Sequence, residues 1–304
     1  MTALDNLSTG SLTNVAGITG HPGFEFVHGS ILDEAVVDEL VNEADVVVHL
    51  AAAVGVRLIV DEPLRSFITN LHGSQIVIEA SLRYRRKVLI ASTSEIYGKN
   101  SRVPLAETSE SLLGPPSVAR WSYAAAKYVD EILAYTYHRE RGLEPLVARF
   151  FNTVGPRQSA HYGMVLPRLV RQALADEPLT VYGDGTQSRC FGHVLDVVAA
   201  VTVLLEDERA VGEAFNIGSS EEVTILELAE RIIERTGSSS TITLVPYSEA
   251  FGEGFEDIGR RTPDTSKLRE LTGWEPKRSL NDIIDDVVLD RAGEHPDDHP
   301  RTRV

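Results

Sequence analysis

Short apolar runs alternate along this chain with longer amphipathic stretches, and that order leaves few folds open. Phe24–His28, Asp45–Ala52, Lys87–Ser92 and Pro145–Phe151 read as strands. The run Asp45–Ala52 is apolar enough to predict burial on both faces, as in a parallel sheet covered by helices on either side. Between the strands, Pro63 to Arg83 and Tyr123–Arg141 read as helices, the second stopped by Gly142. Strand–helix alternation of this kind predicts an α/β chain with a doubly wound parallel sheet. A loop rich in Ser, Gly and Pro spans Lys99–Ala119. Beyond Asn152 the pattern is less regular. Helices are expected at Val165–Ala175, Asp196–Leu205 and Ile225–Arg235, and strands at Leu179–Tyr182 and Ala214–Ile217. Thr241–Pro246, Thr265–Leu271 and Leu280–Leu289 complete the ordered part, and polar Arg291–Val304 is expected to fray.

Composition excludes several classes of function. A net charge of -16 argues against a general binder of nucleic acid or anionic membrane, although a pocket can still be locally basic. Cys190 is the single cysteine, so no internal disulfide forms. The nine histidines are scattered, without a His-Glu-x-x-His pattern, and no metal is expected. No segment reaches the roughly 20 apolar residues that span a bilayer. No signal-peptide pattern follows Met1, which makes the cytoplasm the expected location.

Two constellations carry chemistry. In Trp121-Ser-Tyr-Ala-Ala-Ala-Lys127, Tyr123 and Lys127 stand four apart and share one helix face. A free phenol, with a pKa of about 10, is a poor base near neutrality. A neighbouring ammonium is expected to favour the phenolate. Taken alone, such a pair is also common on solvated helices. The second constellation, Ser92-Thr-Ser-Glu95, closes an apolar run at a strand's carboxyl end, where ligands bind in doubly wound folds. If the extended conformation continues, Thr93 and Glu95 point to one side. Thr93 could then bond a substrate hydroxyl and Glu95 act as a second acid or base. The competing reading is a turn capped by these hydroxyls.

Six ordered motifs make the chain recognisable. Thr-Ser-Glu-x-Tyr-Gly at 93–98, Tyr123-x-x-x-Lys127 and Arg149-Phe-Phe-Asn-Thr-Val-Gly-Pro156 resemble the extended short-chain dehydrogenase/reductase family. So do Val181-Tyr-Gly-Asp-Gly-Thr-Gln-Ser-Arg189, Phe215-Asn-Ile-Gly218 and Arg260-Arg-Thr-Pro-Asp264. The resemblance, from Leu4 to Val288, is to NAD-dependent nucleotide-sugar epimerases, dehydratases and decarboxylases. It implies a Rossmann-like NAD-binding domain over 1–160 and 190–216, a smaller α/β nucleotide-sugar domain over 161–189 and 217–290, and a flexible tail over 291–304. It also implies a homodimer built on the helices at Pro63–Arg83 and Tyr123–Arg141.

The same resemblance assigns residues. Tyr123 becomes the catalytic base, Lys127 its partner on the cofactor ribose, and Thr93 the hydroxyl sharing the reacting proton. NAD is expected against Asp5, Asn6, Ser30, Ile31, Leu50, Ala51, Ala52, Asn70, Ser92 and Phe150. Ser30-Ile31 stands where the family has Asp-Ile. Asp5, on the adenosine ribose, favours NAD over a 2′-phosphorylated cofactor. A UDP-sugar is expected against Thr93, Asn152, Tyr182, Arg189, Arg260 and Arg261, the arginines suiting a diphosphate.

One departure is large. A Gly-x-x-Gly-x-x-Gly turn is expected roughly twenty residues before Asp5, where the pyrophosphate meets a helix amino end. Gly17-Ile-Thr-Gly20-His-Pro-Gly23 lies after Asp5 and does not replace it. The first strand and helix of the fold therefore read as missing, through a misplaced start or a natural truncation. A sheet without that strand should expose apolar surface and unpaired backbone. As for the reaction, Glu95 and the runs Gly114-Pro…Arg120-Trp-Ser-Tyr123, Arg189-Cys-Phe and Gly254-Phe-Glu-Asp-Ile resemble UDP-glucuronate decarboxylases. The alternatives are a UDP-glucose 4-epimerase, a sugar-nucleotide 4,6-dehydratase, and a cofactor-poor nucleotide-sugar binder without activity.

Overall fold

The computed structural model describes residues 1–160, 163–252 and 256–293. The chain opens with β1 (Thr2–Asp5), β2 (Glu25–His28), α1 (Glu34–Glu43), β3 (Val46–His49), α2 (Val56–Asp61), α3 (Pro63–Tyr84) and β4 (Lys87–Thr93). It continues with α4 (Ser122–Arg141), β5 (Pro145–Phe150), β6 (Thr153–Val154), α5 (Val165–Leu174), β7 (Leu179–Tyr182), β8 (Ser188–Cys190), β9 (Gly192–His193) and α6 (Val194–Glu206). It closes with β10 (Ala214–Ile217), β11 (Glu222–Thr224), α7 (Ile225–Thr236), β12 (Ile242–Val245), α8 (Tyr247–Phe251), α9 (Ser266–Thr272) and α10 (Leu280–Ala292). Most of the expected fraying tail lies outside the described residues.

Four parallel strands, in the order β10-β5-β4-β3, form the central sheet. Alternation along these strands sorts their side chains into two cores. Val88, Ile90, Val147 and Ala214 pack with Ile78 of α3 and Ala134 of α4 on one face. Leu89, Leu146, Ala148 and Phe215 pack with Val197, Ala200 and Leu204 of α6 on the other. Both faces are covered, as the continuous apolar character of β4 and β5 requires. α4 stops where Gly142 takes a left-handed conformation, with its N–H on the His138 and Tyr137 carbonyls.

A third core joins Leu169 and Val170 of α5, Leu228 and Ile232 of α7, and Ile283 and Ile284 of α10 around β7. The short pairs β7–β12, β8–β11 and β6–β9 surround it. Helix α7 begins on a reciprocal capping box between Thr224 and Glu227.

The expectation for Asp45–Ala52 fails on one face. Val46 and Val48 are 42% and 43% exposed, and Leu50 is 58% exposed. Val48 pairs with Leu89 in register, so it faces the α6 side of the sheet. There α6 also shows Leu195 and Val198 to solvent. β1 and β2 form a separate parallel pair that shares no backbone hydrogen bond with β3. Leu4 of β1 and Val47 of β3 nevertheless pack on the same core, with Val37, Val41, Ile76 and Val77 of α1 and α3. Among the described residues the outer edge of β3 is thus unpaired, beside an apolar surface. Among the described residues no helix is long and apolar enough to cross a membrane, and no group of metal-ligating side chains gathers.

Candidate active site

The carboxyl end of β4 and the amino end of α4 meet at a cavity of about 700 Å³ that reaches to β7, β8 and the segment around Asp257 and Arg261. The strand does not stay extended. Thr93 ends it and its Oγ1 accepts the Glu95 N–H at 3.2 Å, capping a tight turn over Ser94–Tyr97. Thr93 caps the turn, and Thr93, Ser94 and Glu95 line the cavity.

Tyr123 and Lys127 line the same cavity one helical turn apart. The expected effect of the ammonium on the phenol is not what the structure shows. The Tyr123 phenol is pushed up, first by burial and then by Glu95, while a hydrogen bond from Thr93 and the charge of Arg120 work the other way. Lys127 is turned to a different partner. Its Nζ lies 3.1 Å from an Asp130 oxygen, and both side chains are buried. The Ser74 hydroxyl lies against Asp130, with His49 Nε2 3.0 Å from it. Burial, then Lys127, holds His49 down at about 3, so this ring stays neutral.

Glu95 lies within a group of buried charges. Both its oxygens accept from Arg120, one at 3.0 Å, and Arg261 Nη1 adds a contact at 3.3 Å. Burial alone would raise the Glu95 carboxyl, but Arg120 and Arg261 outweigh it and hold it at about 2. Arg261, pressed by burial and by Arg189, is lowered to about 10 and stays charged at neutral pH. Arg189 pairs with Asp257 at 2.9 Å, and Tyr247 donates its hydroxyl to the same carboxylate at 2.7 Å. Arg120, Lys127, Arg168, Arg189 and Arg261 face the cavity against Glu95 and Asp257. The lining is cationic in an acidic chain.

The expected substrate residues divide. Asn152 accepts from Arg261 at 3.3 Å and donates to the Cys190 carbonyl at 3.2 Å. Tyr182 carries the Arg168 guanidinium 4.4 Å over its ring and the Phe251 edge at 5.2 Å. Both line the cavity, as does Arg189. Arg260 does not: its side chain is 56% exposed and pairs with Glu222 at 2.7 Å on the surface. The two adjacent arginines point apart.

The expected cofactor residues divide as well. Leu50, Ala52, Ser92 and Phe150 line the cavity beside Tyr123 and Lys127, and Ala51 belongs to the adjoining core. The Ser92 hydroxyl, however, is occupied by Glu131 at 2.5 Å. Asn70 is buried and grips the backbone of Ala53 at 2.7 and 3.0 Å, so it shapes the loop rather than facing a ligand. Ile31 is a core residue packed on Gly73, and the Ser30 hydroxyl caps the Leu32 N–H at 3.2 Å. Asp5 accepts the Leu7 N–H at 2.6 Å and Asn6 the Ser8 N–H at 3.0 Å, both exposed at the end of β1.

Arg120, Arg168 and Asp257 had not been singled out as site residues. Arg120 and Asp257 stand inside motifs noted for their resemblance, which was a usable signal. Arg168 stands in no motif. Gly254 and Phe255, which also belong to one of those motifs, lie outside the described residues.

Comparison with known proteins follows the same lines. The family model described as GDP-mannose 4,6 dehydratase matches residues 2–287. A UDP-N-acetyl-alpha-D-glucosaminuronate decarboxylase from Bacillus cytotoxicus is 41% identical over 95% of this chain and 88% of its own length. UDP-glucuronic acid decarboxylase 2 from Arabidopsis thaliana is 37% identical over 94% of this chain, which spans 61% of that longer protein. The crystal structure of UDP-glucuronic acid 4-epimerase from Bacillus cereus, in complex with UDP-glucuronic acid and NAD, superposes with a TM-score of 0.84. It is 27% identical and covers 95% of this chain and 90% of its own.

Proposed function

This chain belongs to the nucleotide-sugar epimerase/dehydratase family, and we propose that within it the protein is an NAD-dependent UDP-hexuronate decarboxylase. The observation that carries the reading is Glu95. It stands beside Tyr123 in a cationic cavity, ionised and held by Arg120 and Arg261. The decarboxylase names of the similar curated proteins support it.

The residues present fit NAD at its nicotinamide end. Leu50, Ala52 and Phe150 make apolar walls, and Tyr123 and Lys127 make a polar corner of the same cavity. NAD, when bound, would accept the hydrogen on C4 of the sugar as hydride and would return it to the C4 carbonyl once carbon dioxide has left, with Tyr123 giving its proton back to the C4 oxygen, so that no net oxidant is consumed. Tyr123 takes the proton of the C4 hydroxyl, and Thr93 shares that proton through its hydrogen bond to the phenol. With C4 a carbonyl, the uronate becomes a β-keto acid. The C5–C6 bond breaks, its electron pair moves to the C4 oxygen as an enolate, and carbon dioxide leaves. A proton from solvent then returns to C5. Arg189, Arg261 and Asn152 suit the diphosphate, whose charge a guanidinium meets with two hydrogen bonds. Tyr182, stacked under Arg168, suits the base.

Two assemblies complete the proposal. The β10-β5-β4-β3 sheet with its helices forms the dinucleotide lobe, and the core around α5, α7 and α10 forms the sugar-nucleotide lobe. α3 and α4 pack side by side and leave Leu64, Phe67 and Ile68 of α3 and Val129 and Ile132 of α4 exposed. These faces suit a homodimer. Incubation with UDP-glucuronate, its N-acetylated relative and UDP-glucose, followed by mass spectrometry and NMR, tests the reaction. Loss of carbon dioxide from a uronate alone is the expected result. A mass-neutral inversion at C4 would make the protein a 4-epimerase.

A further inference from the structure

Arg120 occupies a place that the proposed reaction does not yet use. It is fully buried on the turn that leads into α4, directly before the helix that carries Tyr123. Both terminal nitrogens of its guanidinium are committed to the two oxygens of Glu95. Its Nε has no hydrogen-bond partner among the described residues. A guanidinium carried this deep, with one donor left unsatisfied, is costly unless its pairing does something the fold needs. On the opposite side, Glu95 meets Arg261, which also reaches Ser94 at 3.4 Å and Asn152 at 3.3 Å. Arg120, Glu95, Arg261 and Asn152 thus make one chain of contacts across the cavity floor.

We propose that Arg120 is a positioning residue: its two-pronged grip presents Glu95 to the sugar as a fixed anion, which in turn aims Arg261, and it keeps Glu95 from serving as a proton donor. The proposal deepens the decarboxylase reading and rests on it. It bears on the open choice in the sequence, where Glu95 could be a second acid or base: an ionised Glu95 held in this way has no proton to donate. Lysine at this position would keep the charge and lose the grip, because its ammonium is a single point donor.

The charged and titratable groups facing Glu95 come from several elements. Arg120 precedes α4 and Tyr123 lies on it. Arg189 comes from β8, and Arg261 from the segment before α9. Asp257 lies beside Arg120 and Arg189. With all of them present, Glu95 stays ionised far below neutral pH. Without Arg120, burial opposes the anion and only the longer contact to Arg261 and the more distant charge of Arg189 support it, so the carboxyl should rise.

The test is a pH profile of turnover on UDP-glucuronate for wild type, Arg120→Met, Arg120→Lys and the double variant Arg120→Met/Glu95→Gln. Arg120→Met should gain a second acid limb beneath the one that Tyr123 gives every variant, steepening the fall from about tenfold to about a hundredfold per pH unit below the new ionisation. The Lys variant should show that limb at lower pH, and the Gln double variant should lose it while staying slow. Equal loss for Arg120→Met at every pH, or a second limb that survives Glu95→Gln, would overturn the proposal. If Arg120→Met fails to fold, the Lys variant decides it, since a profile parallel to the wild type refutes the grip. If the wild type releases no carbon dioxide, the decarboxylase reading fails separately. The same variants are then compared by the pH dependence of UDP-glucuronate binding in calorimetry, where the same limb is expected and its absence is refuting.

Discussion

At the scale of single residues, the phenol of Tyr123 is poised against its own ionisation. Burial and Glu95 raise it, and the Thr93 hydrogen bond is the larger of the influences opposing them, ahead of the charge of Arg120. Replacing Thr93 by Val removes that help at nearly constant volume. A base works only once deprotonated, so raising its pKa moves the rising limb of the kcat profile to higher pH. Thr93→Val should therefore lose most at neutral pH and recover partly in alkali, with KM for the sugar nucleotide little changed. A limb that stays in place would show that Thr93 does not touch the reacting proton. Tyr123→Phe should lose about 10²- to 10⁴-fold in kcat, the usual contribution of a positioned base, without loss of helix by circular dichroism. Tyr123 and Lys127 are legible because their spacing puts them on one helix face, and Thr93 because it closes an apolar run at a strand end. Arg260 and Arg261 show the limit: neighbours in sequence, they face surface and cavity respectively, and nothing in the motif distinguishes the two directions.

At the scale of elements, what holds α4 to the sheet is charge as much as apolar packing. Arg149 of β5 donates to Glu131 of α4 at 2.6, 3.0 and 3.2 Å, and also reaches the Tyr97 hydroxyl at 2.9 Å and the Glu107 carbonyl at 2.8 Å. Ser92 adds its bond to Glu131 from β4. The network pins the helix one turn beyond Lys127 and so sets where Tyr123 stands. Arg149→Met leaves Glu131 buried and unpaired and should cost about 3–5 kcal/mol, measured by urea denaturation. Arg149→Met/Glu131→Leu should regain much of that loss, since the uncompensated charge is gone. A double variant no more stable than the single one would assign the loss to packing instead. The strands β7 and β10 and the end of α4 could be read to within a residue, because apolar runs there stop at turn residues. The strands β8 and β11 could not: Ser188–Cys190 and Glu222–Thr224 are short, polar and shaped by each other. Pairing across the chain decides them, and no local pattern records it.

At the scale of the whole molecule, the sheet is divided. β1 and β2 stand apart from β3, yet α1 and α3 pack under both, through Leu4 on one side and Val47 on the other. On the opposite face Val46, Val48 and Leu50 of the β3 region and Leu195 and Val198 of α6 remain in water. The two sides of the sheet are therefore unequal: one is closed by helices across the break, and the other is open at it. An unpaired strand edge beside apolar side chains is a template for association with other chains. The sequence showed this consequence but not its position, since Asp45–Ala52 reads as a fully covered strand until the register places Val48 on the α6 side. Leu50 and Val198 of this face also line the cavity, whereas Val48 and Leu195 do not, so polar replacement at those two should act on association alone. Val48→Thr/Leu195→Gln is expected to lower binding of a hydrophobic dye and light scattering at high protein concentration, with the denaturation midpoint little changed, because both side chains are already about half in water. Unchanged dye binding and scattering would mean that this surface is covered in solution, and a lowered midpoint would mean that it packs on part of the chain itself.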